Sequence, residues 1–299
     1  MNRLENRDYK FVCFGEVLFD VLGDVYKPGG APFNVCYHLQ QAEVDSLLIS
    51  SVGRDDLGSE LLSILDNWNL STQGVKVSDK YKTGEAVVKF DAGNQPHYDL
   101  LFPVAWDYIP WDNSFQQIIN NSKAFVFGSL SCRNEKSLTT LKQCLVNANM
   151  NVFDVNIRPP YVNQFIIEEL LHYAHILKLN DSELELINDW YDLHEFKEKD
   201  QIGFIKEKFK IDEVLITKGE RGVSYYSDNI EIHKPAKKVT VADTVGSGDA
   251  FLAGFLAKKL DKDNSIEQCL DEGIYRSAYV ATQSGACPNY DGYQSFIND

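Results

Sequence analysis

The chain has 299 residues, of which 44% are hydrophobic and 24% charged, and its formal net charge is −15. This composition is typical of a soluble globular protein, and the length suits one large α/β unit with embellishments. The negative charge repels nucleic acid backbones and anionic membrane surfaces, so we expect neither as a partner. No apolar run approaches the roughly 20 residues that cross a bilayer, and the polar start lacks a secretory signal, which predicts a cytoplasmic protein. Six scattered cysteines without a CxxC pair indicate reduced packing residues rather than a zinc site.

Short apolar runs recur along the chain and have the length and composition of buried strands. They are FVCF from Phe11, SLLISSV from Ser46, AFVF from Ala124, NVFDV from Asn151, ILKL from Ile176 and VLIT from Val214. Helical patterns separate them, such as the leucine-rich face that follows the sequence GRDD, where an aspartate can cap the helix. The alternation predicts an α/β fold with a mostly parallel sheet and helices on both faces.

One segment breaks this alternation. Two extended runs between Gly84 and Phe102 flank the turn-forming residues Asp91-Ala92-Gly93-Asn94, which predicts a β-hairpin apart from the main sheet. Ligands of open parallel sheets bind at the carboxyl ends of the strands, so a hairpin there would cover the site. An ordinary surface hairpin is the alternative interpretation.

The stretch VADTVGSGDAFLAGF, residues 241–255, indicates an anion-binding loop. The alternation of Val239 and Val241 favours a strand that leads into a helix, and the N-terminus of a helix attracts anions. Gly246 and Gly248 allow a phosphate to approach the backbone. The P-loop motif and the dinucleotide fingerprint are both absent. An aspartate beside such a loop repels the anion that the loop attracts, so its presence there indicates a function. Taking a proton from an attacking hydroxyl is such a function, and Asp249 is therefore a candidate base. Helix capping is the alternative.

The segment DTVGSGDAF resembles the signature of the ribokinase-like, or PfkB, carbohydrate kinases, D-T-x-G-[AS]-G-D-x-F, at every position. Further landmarks of that family follow the same order in this chain: GEVLFD, GGAPFN, NDSE and TKGERG. The resemblance extends from about Phe11 to Pro288. It implies a three-layer α/β/α fold, with residues 1–299 as one domain and a β lid formed by residues of about 18–30 and 83–104. It also implies an ATP-dependent sugar kinase that uses Mg²⁺.

The resemblance assigns roles on the phosphoryl side. Asp249 is expected to be the catalytic base, and the backbone amides of Gly246, Ser247 and Gly248 to form the anion hole. Residues expected to bind ATP are Asn180, Thr217, Gly219, Gly222, Gly246 and Gly248. Glu183 is expected to hold Mg²⁺ through water, although the spacing of Asn180 and Glu183 also fits a helix-capping box. Asp243 and the carbonyl of Val245 correspond to a K⁺ site of some members, and a loop without an ion is the alternative.

The expected sugar-binding residues are Asp20, Gly29, Gly30, Asn34 and Arg158. Carboxylate and amide groups suit a polyol because each can bind hydroxyls in fixed geometry. Arg158 lies in the segment FDVNIRPPY, and its guanidinium could hold either an ATP phosphate or a substrate carboxylate, with a salt bridge to Asp154 or another acid as the alternative.

The segment GGAPFNV looks more like the fructokinase branch than the ribokinases, so D-fructose, phosphorylated on its 6-hydroxyl, is the expected substrate. A 2-keto-3-deoxygluconate kinase is the closest rival, and it would need a second cation facing the sugar. A nucleoside kinase stays open because Tyr98, Phe102 and Trp106 could stack on a base. A catalytically silent sugar sensor on the same fold is the alternative from another class. Members of the family often dimerise through the lid strands, so the resemblance implies a homodimer of this kind.

Overall fold

A computed structural model describes residues 8–90 and 96–298 of the chain. The strands are β1 Phe11–Phe14, β2 Leu18–Leu22, β3 Val25–Gly29, β4 Ser46–Gly53, β5 Val75–Ser78, β6 Gly84–Phe90, β7 Pro96–Leu100, β8 Ala124–Gly128, β9 Asn151–Asp154, β10 Ile176–Asn180, β11 Glu213–Thr217, β12 Val223–Tyr226 and β13 Glu231–Lys234. The α-helices are α1 Ala31–Gln41, α2 Asp56–Asn67, α3 Asn113–Asn121, α4 Glu135–Leu145, α5 Gln164–Leu171, α6 Asp181–Tyr191, α7 Glu198–Phe209, α8 Ser247–Lys259, α9 Ile266–Ala281 and α10 Tyr293–Asn298. Short 3₁₀ helices span Ala105–Tyr108, Leu130–Arg133 and Gly219–Arg221.

The main sheet of the described chain has the strand order β13-β12-β11-β10-β9-β8-β1-β4-β5. Neighbours from β11 through to β5 pair in parallel, and β12 and β13 continue the sheet in antiparallel fashion. Each of the six apolar runs identified in the sequence forms one of the parallel strands. The prediction of a mostly parallel α/β sheet is therefore confirmed.

Both faces of this sheet are covered, because successive side chains of a strand point to opposite sides. On β1, Val12 and Phe14 join one buried cluster, whereas Phe11 and Cys13 join the other. Helices α3 to α7 contribute to the first cluster, and helices α1, α2, α8 and α9 to the second. The result is the expected three-layer α/β/α arrangement. Among the described helices, none combines the length and the apolar character that crossing a membrane requires.

The start of α2 has the predicted cap. The carboxylate of Asp55 accepts a hydrogen bond from the backbone N–H of Gly58 over 2.8 Å, and it also accepts one from the N–H of Thr83 over 2.9 Å. One side chain therefore ends the loop after β4 and ties it to the segment that enters β6.

The strand predicted at Val239 and Val241 is wrong. Residues 235–243 have no regular secondary structure, and Val241 is 57% exposed. The N–H of Ala242 donates instead to the carbonyl of Ala281 at the end of α9 over 2.8 Å. Alternation of two valines was too short a pattern to distinguish a strand from an extended loop that pairs with a helix end.

A smaller sheet with the order β3-β2-β6-β7 lies apart from the main one. Strands β6 and β7 form the predicted antiparallel hairpin, and β2 joins β6 in parallel. The predicted turn, Asp91 to Asn94, lies outside the described residues.

A buried ion pair anchors the chain where it leaves the hairpin. Arg133 donates from Nε to Asp107 Oδ1 over 2.6 Å and from Nη2 to Asp107 Oδ2 over 3.0 Å, and the two side chains are 2% and 0% exposed. Arg133 also donates to the carbonyl of Leu101 over 2.5 Å, and its guanidinium lies 4.0 Å from the centre of the Trp106 ring. The pair thus fixes the end of β7 to the 3₁₀ helix that follows β8.

We predict that Arg133→Met lowers the free energy of unfolding by about 3–5 kcal/mol, because it leaves the Asp107 carboxylate buried without its cation. The measurement is urea unfolding at pH 7, followed by far-UV circular dichroism. Arg54→Met is the matched control: Arg54 pairs with Asp79, but the side chains are 69% and 77% exposed, so its loss should cost less than about 1 kcal/mol. Equal effects of the two substitutions would contradict the anchoring role.

Candidate active site

A cavity of about 650 Å³ lies between the carboxyl ends of the main-sheet strands and the smaller sheet. It collects most of the side chains and loops that the sequence singled out: Asp20, Gly30, Asn34, Arg158, Asn180, Glu183, Thr217, Gly246, Gly248 and Asp249. The predicted residues that do not line it are Gly29, Ser247, Gly219, Gly222 and Asp243. A second cavity of equal volume, between α7 and the β12–β13 turn, contains none of them. The candidate site is therefore the first cavity.

The glycine-rich loop turns into α8 at this cavity. Gly246 has a φ of 78°, which favours glycine, and a Cβ there would lie 2.7 Å from Ala286. Helix α8 begins at Ser247, so Gly248 is at its second position, where an N–H has no carbonyl acceptor within the helix. The N–H of Ser247 donates to the carbonyl of Thr244 over 3.2 Å and is thus partly committed to the loop. The anion-hole role of the three residues stays a prediction.

Asp249 lies in the first turn of α8 and faces α1. Its Oδ2 accepts a hydrogen bond from Asn34 Nδ2 over 2.8 Å. Among the described residues, no side-chain hydrogen bond caps the start of α8, so Asp249 is not a capping residue there. Burial and the negative charge of Asp154 raise the pKa of Asp249 to about 7, although Asn34, Lys178 and Arg158 act in the opposite direction. A carboxyl group with such a pKa can accept a proton at neutral pH, as a general base must.

The pairing of Lys178 with Asp154 was not identified from the sequence. They lie opposite each other on β10 and β9, and Lys178 Nζ donates to both carboxylate oxygens of Asp154 over 2.8 Å. Lys178 is 6% exposed, and its Nζ lies 3.4 Å from the point where a Cβ on Gly248 would be. The available signal was a charged residue inside the apolar run ILKL, because a buried lysine needs a partner.

Asn180 and Glu183 form the capping box of α6. Asn180 Oδ1 accepts from the N–H of Glu183 over 2.9 Å, and Glu183 Oε2 accepts from the N–H of Asn180 over 2.8 Å. Glu183 Oε1 also accepts from the N–H of Ile157 over 2.9 Å. Both oxygens keep a lone pair, but Glu183 is 4% exposed, so the residue fits an outer, water-mediated role toward Mg²⁺ better than direct ligation. The metal role remains a prediction.

On the sugar side, Asp20 on β2 faces the cavity. Burial raises the pKa of Asp20 to about 6, against the opposing effect of Arg158. A Cβ on Gly29 would lie 2.6 Å from Asp20 Oδ2, and a Cβ on Gly30, where φ is 112°, would lie 2.4 Å from the carbonyl of Glu16. These glycines therefore let β3 and the start of α1 approach β2. Glu16 also lines the cavity, and burial raises its pKa. It was not among the residues predicted for the site.

Arg158 is exposed at the mouth of the cavity. Its guanidinium Nη1 donates a hydrogen bond to the carbonyl of Ile157 over 3.3 Å. The salt bridge to Asp154, which was the alternative for Arg158, is replaced by the pairing of Asp154 with Lys178. Arg158 therefore keeps donors for a ligand.

Asp243 ties two loops together outside the cavity. Its Oδ1 accepts from the N–H of Val245 and its Oδ2 from the N–H of Gly285, each over 3.0 Å. Each oxygen retains a lone pair and the Val245 carbonyl is nearby in sequence, so the group is compatible with K⁺. The structural role is nevertheless complete without an ion.

Three of the residues expected to bind ATP, Thr217, Gly219 and Gly222, lie at the end of β11 and in the turn that follows. Of these three, only Thr217 lines the cavity. Gly222 has a φ of 99°, a Cβ there would lie 1.9 Å from the carbonyl of Lys234, and its own carbonyl accepts from the N–H of Lys218 over 2.8 Å. Gly219 has a φ of 56° and is exposed. Both glycines therefore serve the turn between β11 and β12, and contact with ATP remains a prediction for them. Lys218 itself binds Glu198 over 2.6 Å.

The sequence was compared with protein-family models and with curated proteins, and both comparisons find carbohydrate kinases. Residues 1–291 match the family described as pfkB family carbohydrate kinase. A protein named probable fructokinase-5 from Arabidopsis thaliana is 27% identical over an alignment of 310 residues that covers 93% of each chain.

Solved structures show the same fold. A putative ribokinase II from E. coli, in complex with ATP and Mg²⁺, has a TM-score of 0.83 at 20% identity and covers 97% of this chain and 99% of its own. A fructokinase from Vibrio cholerae O395, in a form with fructose, ADP and calcium ion bound, has a TM-score of 0.82 at 21% identity, with coverages of 97% and 100%. Because the family match spans nearly the whole sequence, this chain belongs to the pfkB family of carbohydrate kinases.

Proposed function

We propose that the protein transfers the γ-phosphoryl group of ATP to a primary hydroxyl of a neutral monosaccharide, with D-fructose as the first candidate and fructose 6-phosphate as its product. The observation that carries this proposal is the position of Asp249. It lies at a helix N-terminus that suits a phosphate, and it shares one cavity with Asp20, Asn34 and Arg158 on the acceptor side. The names of the relatives, which include fructokinases, support the same reaction class.

In the proposed mechanism, Asp249 accepts the proton of the acceptor hydroxyl. The hydroxyl oxygen forms a bond to the γ-phosphorus as the bond between that phosphorus and the bridging oxygen of ADP breaks. The N–H groups at Gly246 to Gly248 and the ammonium group of Lys178 stabilise the charge on the transferred group. Mg²⁺ would neutralise the charge of the phosphates. No group of three or more His, Cys, Asp or Glu in the described ranges could hold a metal ion, so we propose that phosphates and water supply most of its ligands.

The charges of the cavity favour a neutral acceptor over a sugar acid. Three carboxyl groups line its acceptor side, on Glu16, Asp20 and Asp249. The described lining residues include two cations, Arg158 and Lys178, and Lys178 is already paired with Asp154. A carboxylate substrate such as 2-keto-3-deoxygluconate would face more like charge than opposite charge. This supports fructose over the acid.

We propose that the smaller sheet is the lid of a single catalytic domain that spans residues 1–299. It supplies Leu18, Asp20, Ala86 and Leu100 to the cavity wall, so its closure would exclude water, which competes with the sugar for the phosphoryl group. Dimerisation through this lid is part of the proposal, because Leu22, Val25 and Tyr26 are about half exposed on β2 and β3. The silent-sensor alternative is less favoured, since the base and the glycine loop are intact.

We expect purified protein with Mg²⁺ and ATP to produce ADP in the presence of fructose at a rate well above that with ribose, tagatose, adenosine or 2-keto-3-deoxygluconate. A coupled assay for ADP with a control lacking any acceptor measures this directly. Faster turnover with another acceptor would keep the kinase mechanism and reject fructose. Sugar binding detected by calorimetry without any turnover would favour the sensor.

Asp249→Asn should lower kcat by at least about 10²-fold with fructose, because the amide cannot accept the hydroxyl proton. The thermal midpoint of the variant at pH 8 should not fall, since the amide oxygen can still accept from Asn34 and the cost of a buried charge disappears. ATP binding, measured by calorimetry, serves as the control for an intact nucleotide side. Turnover like that of the wild type would remove Asp249 from the mechanism.

The pH dependence should follow the raised pKa of Asp249. Because the base must be ionised, kcat/KM for fructose should rise about tenfold per pH unit below pH 7 and level off above it. Below pH 6 the decline should steepen as Asp20 also takes up a proton. Initial rates from pH 5 to 9 test this. A profile that stays flat down to pH 5 would contradict the assignment.

A further inference from the structure

The side chain of Asn34 lies between Asp249 and a cysteine from a distant part of the chain. Asn34 Nδ2 donates to Asp249 Oδ2 over 2.8 Å, while the Cys287 thiol donates to Asn34 Oδ1 over 3.3 Å. Asn34 is on α1, Asp249 on α8, and Cys287 in the segment between α9 and α10. Asn34 is 4% exposed, so little water is available to replace either partner. The three groups form one chain of hydrogen bonds that ends on the candidate base.

The direction of this chain follows from the chemistry of its ends. An ionised carboxylate can only accept hydrogen bonds, whereas an amide has a donor end and an acceptor end. Burial, followed by the negative charges of Asp249 and Asp20, raises the pKa of Cys287 well above its usual value, so the group is a protonated thiol at neutral pH. A thiol proton selects the amide orientation in which Oδ1 faces Cys287. That orientation leaves the amide N–H groups for Asp249.

The opposite orientation would have a different consequence. With the amide flipped, Oδ1 would face Asp249 and would favour the protonated carboxylic acid, which cannot act as a base. The orientation of the Asn34 amide matters because the other charged groups around Asp249 have opposing effects on its ionisation. Asp154 on β9 favours the protonated form, whereas Lys178 on β10 and Arg158, in the loop after β9, favour the ionised one.

We propose that Cys287 is a positioning residue: its thiol holds the Asn34 amide with the N–H toward Asp249 and thereby favours the ionised carboxylate. Cys287 does not need to touch the substrate for this role. The catalytic consequence rests on the proposed function of Asp249 as the base, but the effect on the ionisation of Asp249 does not.

The test compares Cys287→Val, which removes the donor at similar size, with Cys287→Ser, which keeps an O–H donor. The ionisation of Asp249 is followed in the ligand-free protein by carbon-13 NMR of labelled aspartate carboxyls, and the signal is assigned by its absence in Asp249→Asn. We expect Cys287→Val to lower the acid ionisation constant of Asp249 about 3-fold, the scale of one modest hydrogen bond, and Cys287→Ser to leave it near the wild-type value. An unchanged constant in Cys287→Val, or the same change in both variants, would overturn the proposal.

Kinetics supply the second readout. For Cys287→Val, kcat/KM with the accepted sugar should fall about 3-fold at pH 6 and match the wild type at pH 9, where Asp249 is ionised in either protein. A merely structural role would lower activity equally at both pH values, and this result would also reject the proposal. If Asp249→Asn retained turnover while the NMR result held, the base assignment would fail and the positioning role of Cys287 would stand.

Discussion

The candidate site depends on the buried ion pair between Lys178 and Asp154. The parallel register of β9 and β10 sets these residues side by side, with Asp154 at the carboxyl end of β9 and Lys178 in the middle of β10. Burial lowers the pKa of Lys178, but the charges of Asp154, Glu183 and Asp249 outweigh this effect and raise it overall, so the lysine stays charged. It therefore compensates three acids at once beside Gly248. Without it, the carboxylates would repel one another and the phosphates of a nucleotide.

Burial leaves Asp249 and Asp20 with raised pKa values, and the sign of the effect on stability follows from this direction. In the folded state both groups bind protons more tightly than in the unfolded chain. Their contribution to stability is therefore lost as the pH rises from about 4 through 6 for Asp20 and through 7 for Asp249. The ionised state that the proposed reaction needs is thus the one in which the folded protein is less stable. A site that opposes folding in this way is expected where charge serves function.

Much of this could be predicted from local sequence. Six of the seven parallel strands of the described sheet, the cap at Asp55 and the glycine loop depend on neighbouring residues, and each was correctly located. The strand at Val239 and Val241 was wrong because two alternating residues carry too little information. Lys178 and Cys287 were missed for another reason: their roles arise from contacts with residues 24 and 253 positions away. A single sequence gives no record of such pairs, whereas the signature around Asp249 is contiguous.

Asn34 connects the two halves of the proposed reaction. The sequence assigned it to the sugar, yet in the structure it donates to the base. These roles are compatible because the amide nitrogen carries two hydrogens, and one can remain on Asp249 while the other meets an acceptor oxygen. The hydrogen bond from Asn34 favours the ionised form of Asp249 and holds the carboxylate in place. When a hydroxyl arrives to donate its proton, the base is already oriented, so binding of the sugar need not reorganise it.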